Sequence, residues 1–490
     1  MDSMNLSLDE FLARAGAGKP ILVHRDLLAD VETPLSTYWK LAHDQTYSFL
    51  LESVTGGEQL ARYSMIGIQP SAVLRTKDQA VCIETKEGVR EQSLAPGEDG
   101  LHELKKLMPE APEAVEGMPK FIGGAVGMIA YDYVRFLEKL PDKNPDVLGV
   151  PDVAMMIARI TVVFDHAKNL IRILILADPT QEGYDEAMAS LEWVSQRIQG
   201  PLPTLPKGSF PTHPVTSDTS QEQYEANVRR VVEYLGAGDG QQTVASLRFS
   251  QEVDAHPVTV YRCLRSINPS PYMFVLRFGD FDIVGASPEL LVGLSGTTAK
   301  VRPIAGTRWR GATEAEDQAL ADELIADEKE RAEHVMLIDL GRNDLGRVCE
   351  FGTVHVDDLM VIERYSHVMH IVSSVTGTLK SGMDGFDLVR ATFPAGTVSG
   401  APKVRAMEII EELETTRRGL YAGAIGYFSA TGDVDTAIAL RTILMKDGKA
   451  HVQAGAGLVF DSQPTKEYEE CRNKARAALR ALEMAQQGLA

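Results

Sequence analysis

The chain reads as an α+β fold, antiparallel β-sheets layered beneath helices, and two observations predict it. Strand-like runs are numerous and joined by hairpin-length Gly/Asp turns, whereas strongly periodic helical stretches are few and long. In the second half the strands are expected at YMFVLRF, FDIVGAS, VHVDDLMVI, HVMHIVSSVTGTL, GAIGYFS, TAIALRTILMK and AHVQAGAGLVF, and the helices over 317–340, 401–415 and 465–487. The first half is mixed: β-rich SAVLRT, ARITVVFD and IRILILA accompany a helical YDEAMASLEWVSQRI. Between the halves, residues 200–220 (GPLPTLPKGSFPTHPVTSDTS) lose apolar periodicity to Pro, Gly, Ser and Thr and read as a linker. That divides the chain into an N-terminal α/β region, 1–205, and a second domain, 220–490. Ser220 and Gln223 predict a capping box for a helix with apolar face Tyr224, Val228, Val231, Val232 and Leu235, stopping at Gly236.

Composition narrows the function classes. With 490 residues the chain can bury more than one core, and 44% hydrophobic content is that of a globular protein. A formal net charge of −20 argues against general affinity for nucleic acid or an anionic membrane. The start, MDSMNLSLDEF, has neither a basic nor an apolar leader region, and no apolar run is long enough to span a bilayer, so a cytoplasmic location is expected. Cys82, Cys263, Cys349 and Cys471 are scattered without CxxC spacing and read as reduced core or surface thiols.

Two glutamate pairs carry the first chemical signal. Glu330 with Glu333, and Glu467 with Glu470, are each spaced i,i+3 on expected helices, which puts both carboxylates of a pair on one face. Two such helices facing each other would make an oxygen-only box suited to a hard divalent cation such as Mg2+; each pair alone also fits a solvated face or, for Glu467, the favourable end of a helix dipole. The first helix should bury Leu320, Leu324, Val335, Met336 and Ile338 and end near Gly341 and Asn343. In PAGTVSGAPKVRAMEII, Gly396, Thr397, Ser399, Gly400 and Pro402 suit an anion cradle or a well-capped helix. In AGAGLV, the small residues permit close backbone approach or mark a bulge. Arg441, in TAIALRTILMK, is expected to share a strand face with Ala437, Ala439 and Ile443, where it needs an internal carboxylate or a substrate carboxylate as partner. His370 is ambiguous in the same way.

With these segments in hand, the chain resembles the anthranilate synthase component I group of the chorismate-utilising enzymes. The likeness runs from LLES to the C-terminal helix through PIAGTRWRG, DEKERAEHVMLIDLGRNDLGRV, YSHVMHIVSSVTG, FPAGTVSGAPKVRAMEII, YAGAIGYF, ALRTI, QAGAGLV and EYEECRNKA. It implies conversion of chorismate and ammonia to anthranilate and pyruvate, the first step of tryptophan biosynthesis. It also implies Mg2+ among Glu330, Glu333, Glu467 and Glu470, partly through water, holding the ring carboxylate. Arg441 and Tyr421 are then expected to grip the enolpyruvyl carboxylate with backbone N–H groups around Gly455, Ala456 and Gly457, while Gly306 and Thr307 of PIAGT also contact substrate. His370 and Thr397 are expected beside the ring, His370 assisting hydroxyl departure, with Glu289 of GASPE as acid/base.

Ala305 selects among relatives, because a lysine at that place in PIAGT accompanies covalent or water-adding chemistry in other members. Alanine favours direct attack by ammonia over an aminodeoxychorismate synthase component I. Leu51, Glu52 and Ser53, together with Pro271, Tyr272, Met273 and Phe274, resemble a tryptophan feedback site, with Ile425 and Tyr427 as further walls and a carboxylate to take the amino group. No cysteine sits in a glutaminase context, so ammonia is expected from a separate glutamine amidotransferase subunit, component II, in a heterotetramer. An inactive tryptophan-binding regulatory subunit and an unrelated carboxylate-metal phosphohydrolase are the remaining alternatives.

Overall fold

The protein is described by a computed structural model at residues 6–16, 18–53, 62–365 and 368–488; Ser366 and His367 of the YSHVMH motif lie outside the described residues. Two twelve-stranded sheets, antiparallel throughout, form its centre among those residues. One runs from Ile21–Leu28 at its edge through Tyr47–Glu52, Tyr272–Phe278, Phe281–Ser287, Thr442–Lys446 and Lys449–Leu458 to Gln242–Glu252 and Thr216–Ser217. The other runs from Ile304–Trp309 through Val368–Thr378, Leu290–Ser295, Val434–Ile438, Ala424–Ser429 and Gly124–Ile129 to Gly88–Ser93. The expected α+β class is therefore what forms.

Strand alternation sorts the side chains into layers. Phe49, Phe274, Phe278, Phe281 and Leu444 of the first sheet meet Val126, Met128, Ile425 and Tyr427 of the second in a core between the sheets. The intervening residues, such as Met273, Val275 and Ile443, face the helices Pro257–Ile267, Gln221–Gly236 and Pro464–Gln487. A third core lies outside the second sheet, under Gly100–Leu107 and Gly385–Thr392. The order of layers is helix, sheet, sheet, helix. Segments on either side of the 200–220 linker share both sheets: Tyr47–Glu52 pairs with Tyr272–Phe278, and Gly124–Ile129 pairs with Ala424–Ser429.

Several boundaries differ from expectation. The helix expected over 317–340 is two, Glu314–Ala326 and Glu328–Gly346. Asp327 has extended ψ and caps the second, accepting from the Lys329 and Glu330 N–H groups at 3.0 and 3.1 Å. The break resets the helical phase, so Val335 is 47% exposed and Leu337 and Ile338 take the core. Gly341 and Asn343 lie inside the helix, which ends at Gly346. Pro402 is the N-cap of Lys403–Leu413, and Gly400–Ala401 pairs with Gln242–Thr243. The helix after the linker spans Gln221–Gly236 as expected, but only half of its capping box forms: Ser220 accepts from Gln223 N–H while the Gln223 side chain turns to Asn227.

TAIALRTILMK is not one strand. Val434–Ile438 belongs to the second sheet and Thr442–Lys446 to the first, and the chain crosses between them at Ala439–Arg441. Arg441 takes φ +49, a conformation sparsely populated by non-glycine residues, so strict alternation with Ala437 and Ile443 fails there.

Candidate active site

The crossing places Arg441 between the two sheets, where its guanidinium makes no hydrogen bond or ion pair among the described residues. Burial pushes its pKa down, and the Glu289 carboxyl is the anion that opposes this. Glu289 is 8% exposed, follows the Phe281–Ser287 strand, and is fixed by its carbonyl accepting from Ile438 N–H at 3.0 Å. Burial pushes its pKa up to about 7, against Thr397, Lys474 and Arg441, which favour the charged form. The Thr397 hydroxyl is buried without a hydrogen-bond partner, near enough to Glu289 to stabilise its charge without closing a bond of normal geometry. A cation, an acid poised near neutrality and an unmet hydroxyl thus gather around one space.

His370 enters from the Val368–Thr378 strand. Its Nδ1 lies 2.8 Å from Gly306 O and 3.1 Å from Thr307 Oγ1. A carbonyl can only accept, so Nδ1 carries the proton and Nε2 presents a lone pair. Burial, with Arg441 adding to it, lowers the imidazole pKa despite the Gly306 carbonyl. Gly306 holds this carbonyl by adopting φ +62 at a bulge in Ile304–Trp309; a Cβ there would meet Leu324 Cδ1 at 2.9 Å and Glu330 Oε2 at 3.1 Å. Ala305 is buried opposite Ile371.

Each glutamate pair lies on a helix, as its i,i+3 spacing predicts. Glu330 and Glu333 lie one turn apart on a helix packed over Ile304–Trp309 and Val368–Thr378, and Glu467 and Glu470 begin the helix packed over Lys449–Leu458. Burial raises the Glu330 pKa and Glu333 adds to it; burial raises that of Glu467 and Glu470 adds to it. Lys329 acts electrostatically on both Glu333 and Glu467 while pairing with Asp461 at 3.1 Å. As they stand, no three acidic, histidine or cysteine side chains converge closely enough to hold a metal ion among the described residues. The donor set still fits a hard divalent cation in kind, being all carboxylate and already crowded with like charge.

Neighbouring groups of this chain crowd the glycines of AGAGLV, the Ala245 carbonyl oxygen at 2.8 Å from a Cβ on Gly455 among them. A Cβ on Gly455 would lie 2.7 Å from the Tyr421 hydroxyl, and one on Gly457 2.4 Å from Gln242 Nε2. Gln242 and Lys474 belong to the site and were missed. Gln242 Nε2 donates to Glu333 at 3.3 Å and its Oε1 is buried without a partner; nothing local in the sequence singles it out. Lys474 Nζ pairs with Glu470 at 2.7 Å and donates to Gly455 O at 3.1 Å; its i,i+4 spacing from Glu470 was the available signal. Cys263, Cys349 and Cys471 are buried and Cys82 is half-buried, and burial pushes the Cys471 thiol up to about 12.

A second group forms between the sheets. Pairing sets Leu51 opposite Phe274 and Glu52 opposite Met273, so Leu51, Tyr272 and Phe274 face Ile425 and Tyr427, with Ser53 and Pro271 at the adjoining strand ends. Glu52 and Met273 alternate to the helix side, where Tyr261 and Arg265 hold the Glu52 carboxylate. Glu52 is thus engaged, contrary to the expectation that its carboxylate is available to an amino group.

No helix is long and apolar enough to cross a membrane among the described residues. The sequence profile described as chorismate binding enzyme matches residues 46–480. Anthranilate synthase component 1 of Pseudomonas putida is 47% identical over 98% of this chain and 99% of its own length, and that of Thermus thermophilus is 48% identical over 95% and 98%. Among solved structures, anthranilate synthase component I from Streptococcus pneumoniae superposes with a TM-score of 0.78 at 37% identity, covering 92% of this chain and 98% of that one. The menaquinone-specific isochorismate synthase MenF of Escherichia coli shares the fold at TM-score 0.70 and 17% identity, over 99% of this chain and 100% of that one. A profile match over most of the chain, with identities that run nearly from end to end, makes this protein a member of the chorismate binding enzyme family.

Proposed function

We propose that this chain is the large subunit of an anthranilate synthase acting in the cytoplasm, converting chorismate and ammonia to anthranilate, pyruvate and water. The observation that carries the reading is the unpaired Arg441 guanidinium beside Glu289, His370 and the unmet Thr397 hydroxyl, in a chain nearly half identical to anthranilate synthase component 1. Arg441 and Tyr421 receive the enolpyruvyl carboxylate, with Gly455 to Gly457 offering backbone N–H groups. Glu330, Glu333, Glu467 and Glu470 would hold Mg2+, which when bound neutralises and orients the ring carboxylate.

His370 stands at the departing C4 hydroxyl as ammonia bonds to C2. Because burial weakens its hold on a proton, an imidazolium formed there surrenders that proton readily. Glu289, poised near pH 7, moves the protons of the second step, in which C2 loses a proton and the enolpyruvyl group leaves as pyruvate. Ala305 offers no amine to compete with ammonia. Ammonia is supplied by a glutamine amidotransferase partner, and tryptophan binds between the sheets as feedback inhibitor. The test is anthranilate fluorescence on mixing the purified chain with chorismate, ammonium and Mg2+ at alkaline pH, with and without tryptophan. Fluorescence that needs Mg2+ and falls with tryptophan is expected; chorismate consumed without fluorescence would refute the product.

A further inference from the structure

The group between the sheets contains a carboxylate that the feedback reading does not use. Asp435 is the second residue of Val434–Ile438, opposite Tyr427 on one side and Gly293 on the other. Residues directly paired across antiparallel strands point to the same face. Tyr427 packs on Phe121 in the inter-sheet core at 4.8 Å, so Asp435 points into that core too. Gly293 has no side chain to fill the space beside it. Asp435 and Tyr272, although placed between the sheets, are each only partly buried.

The carboxylate is poorly provided for. Oδ1 is buried without a hydrogen-bond partner, no cation lies within ion-pairing distance among the described residues, and Lys120 acts on it only from afar. The Tyr272 hydroxyl approaches from the facing sheet. Burial therefore pushes the Asp435 pKa up to about 6. The other titratable groups facing it are Tyr427 on the neighbouring strand and Asp433 just before its own; Arg302 and Tyr365 act on Tyr272. Asp433 is already occupied by Gly296 N–H and the Thr431 hydroxyl. Glu52 is on the other side of its sheet, held by Tyr261 and Arg265.

We propose that Asp435 receives the ammonium group of an aromatic amino acid bound between the sheets, and so makes this site selective for amino acids over their deaminated analogues. The inference rests on reading that space as the tryptophan site. A primary ammonium supplies what Asp435 lacks, a positive charge and N–H donors, while Leu51, Phe274 and Tyr427 offer apolar and aromatic walls to the indole. The site binds only with Asp435 ionised, so affinity weakens about tenfold per pH unit below its pKa and levels off above it.

The experiment is calorimetric titration of the full chain and of Asp435→Asn with tryptophan and with indole-3-propionate, which keeps ring and carboxylate but lacks the amine, from pH 5.5 to 8. Asp435→Asn is expected to weaken tryptophan about 30-fold or more. Indole-3-propionate should bind equally to both proteins, and the acid-side loss of tryptophan affinity should vanish in the variant. Unchanged tryptophan affinity in Asp435→Asn, while Ser53→Phe abolishes binding, would overturn the role of Asp435 and leave the tryptophan site standing. No tryptophan binding by the wild type would overturn the site itself. Should Asp435→Asn fail to fold, the wild type alone decides: tryptophan binding at pH 6, compared in two buffers of different ionisation enthalpy, must release a proton, and zero release refutes the proposal.

Discussion

Arg441→Gln separates a ligand-gripping arginine from a structural one. The guanidinium is partly buried, its pKa is pushed down by that burial, and it has no ion-pair partner among the described residues. An unpaired buried charge destabilises the fold, so removing it should leave stability unchanged or raise it. Removing it should also leave the substrate carboxylate without its partner. Losing one member of a desolvated, hydrogen-bonded charge pair costs about 2–5 kcal/mol. At about 1.4 kcal/mol per factor of ten, kcat/KM for chorismate should fall between about 30-fold and several thousand-fold. Glutamine is no more strained than arginine at φ +49, so backbone effects are held constant. The assay pairs steady-state anthranilate fluorescence with thermal melting of the same preparation. Activity within threefold of wild type would refute the carboxylate grip. A melting temperature lowered by several degrees would show instead that Arg441 holds the sheets together.

Glu289→Gln should remove a kinetic ionisation near pH 7 from the pH–rate profile; because the folded pKa of Glu289 lies above its unfolded value, wild-type stability falls between about pH 4.5 and 7 through this group, and the variant should be the more stable at pH 8. A profile that keeps the same ionisation in Glu289→Gln excludes it as the acid/base. Glu330→Gln and Glu470→Gln should each abolish Mg2+-dependent turnover with the fold intact by circular dichroism, since burial and Glu333 already disfavour the Glu330 charge; wild-type activity in both would remove the metal assignment. Gly306→Ala should lose about 1 kcal/mol or more of stability and raise the Mg2+ concentration needed for half-maximal rate, because the new methyl presses on Glu330; an unaltered Mg2+ response would disconnect the bulge from the glutamates. Ser53→Phe should leave turnover in place while tryptophan loses its effect, read from an inhibition curve; an unshifted curve would exclude that strand end.

The sequence by itself determined the chemistry available and the layered α+β class. Glutamate pairs at i,i+3 stay on one helix face wherever the helix goes, and numerous short-linked strands have few antiparallel solutions. Local spacing also announced the small residues of AGAGLV, whereas the glycine of PIAGT was singled out only by the family resemblance. Tertiary structure decided the rest, because periodicity reports which side of an element is buried but not what it is buried against. TAIALRTILMK carries one unbroken apolar signal, yet its halves lie in different sheets and Arg441 is set at the crossing, facing Glu289 from far earlier in the chain. One capping aspartate, Asp327, split a helix and exposed Val335. Register between strands more than two hundred residues apart turned Glu52 toward Tyr261 and Arg265, whereas the pairing of Asp435 with Tyr427 turned an unremarked aspartate toward the layer between the sheets. A one-residue change of register sends a side chain to the opposite face, so these assignments belong to the assembled sheets and to no single segment.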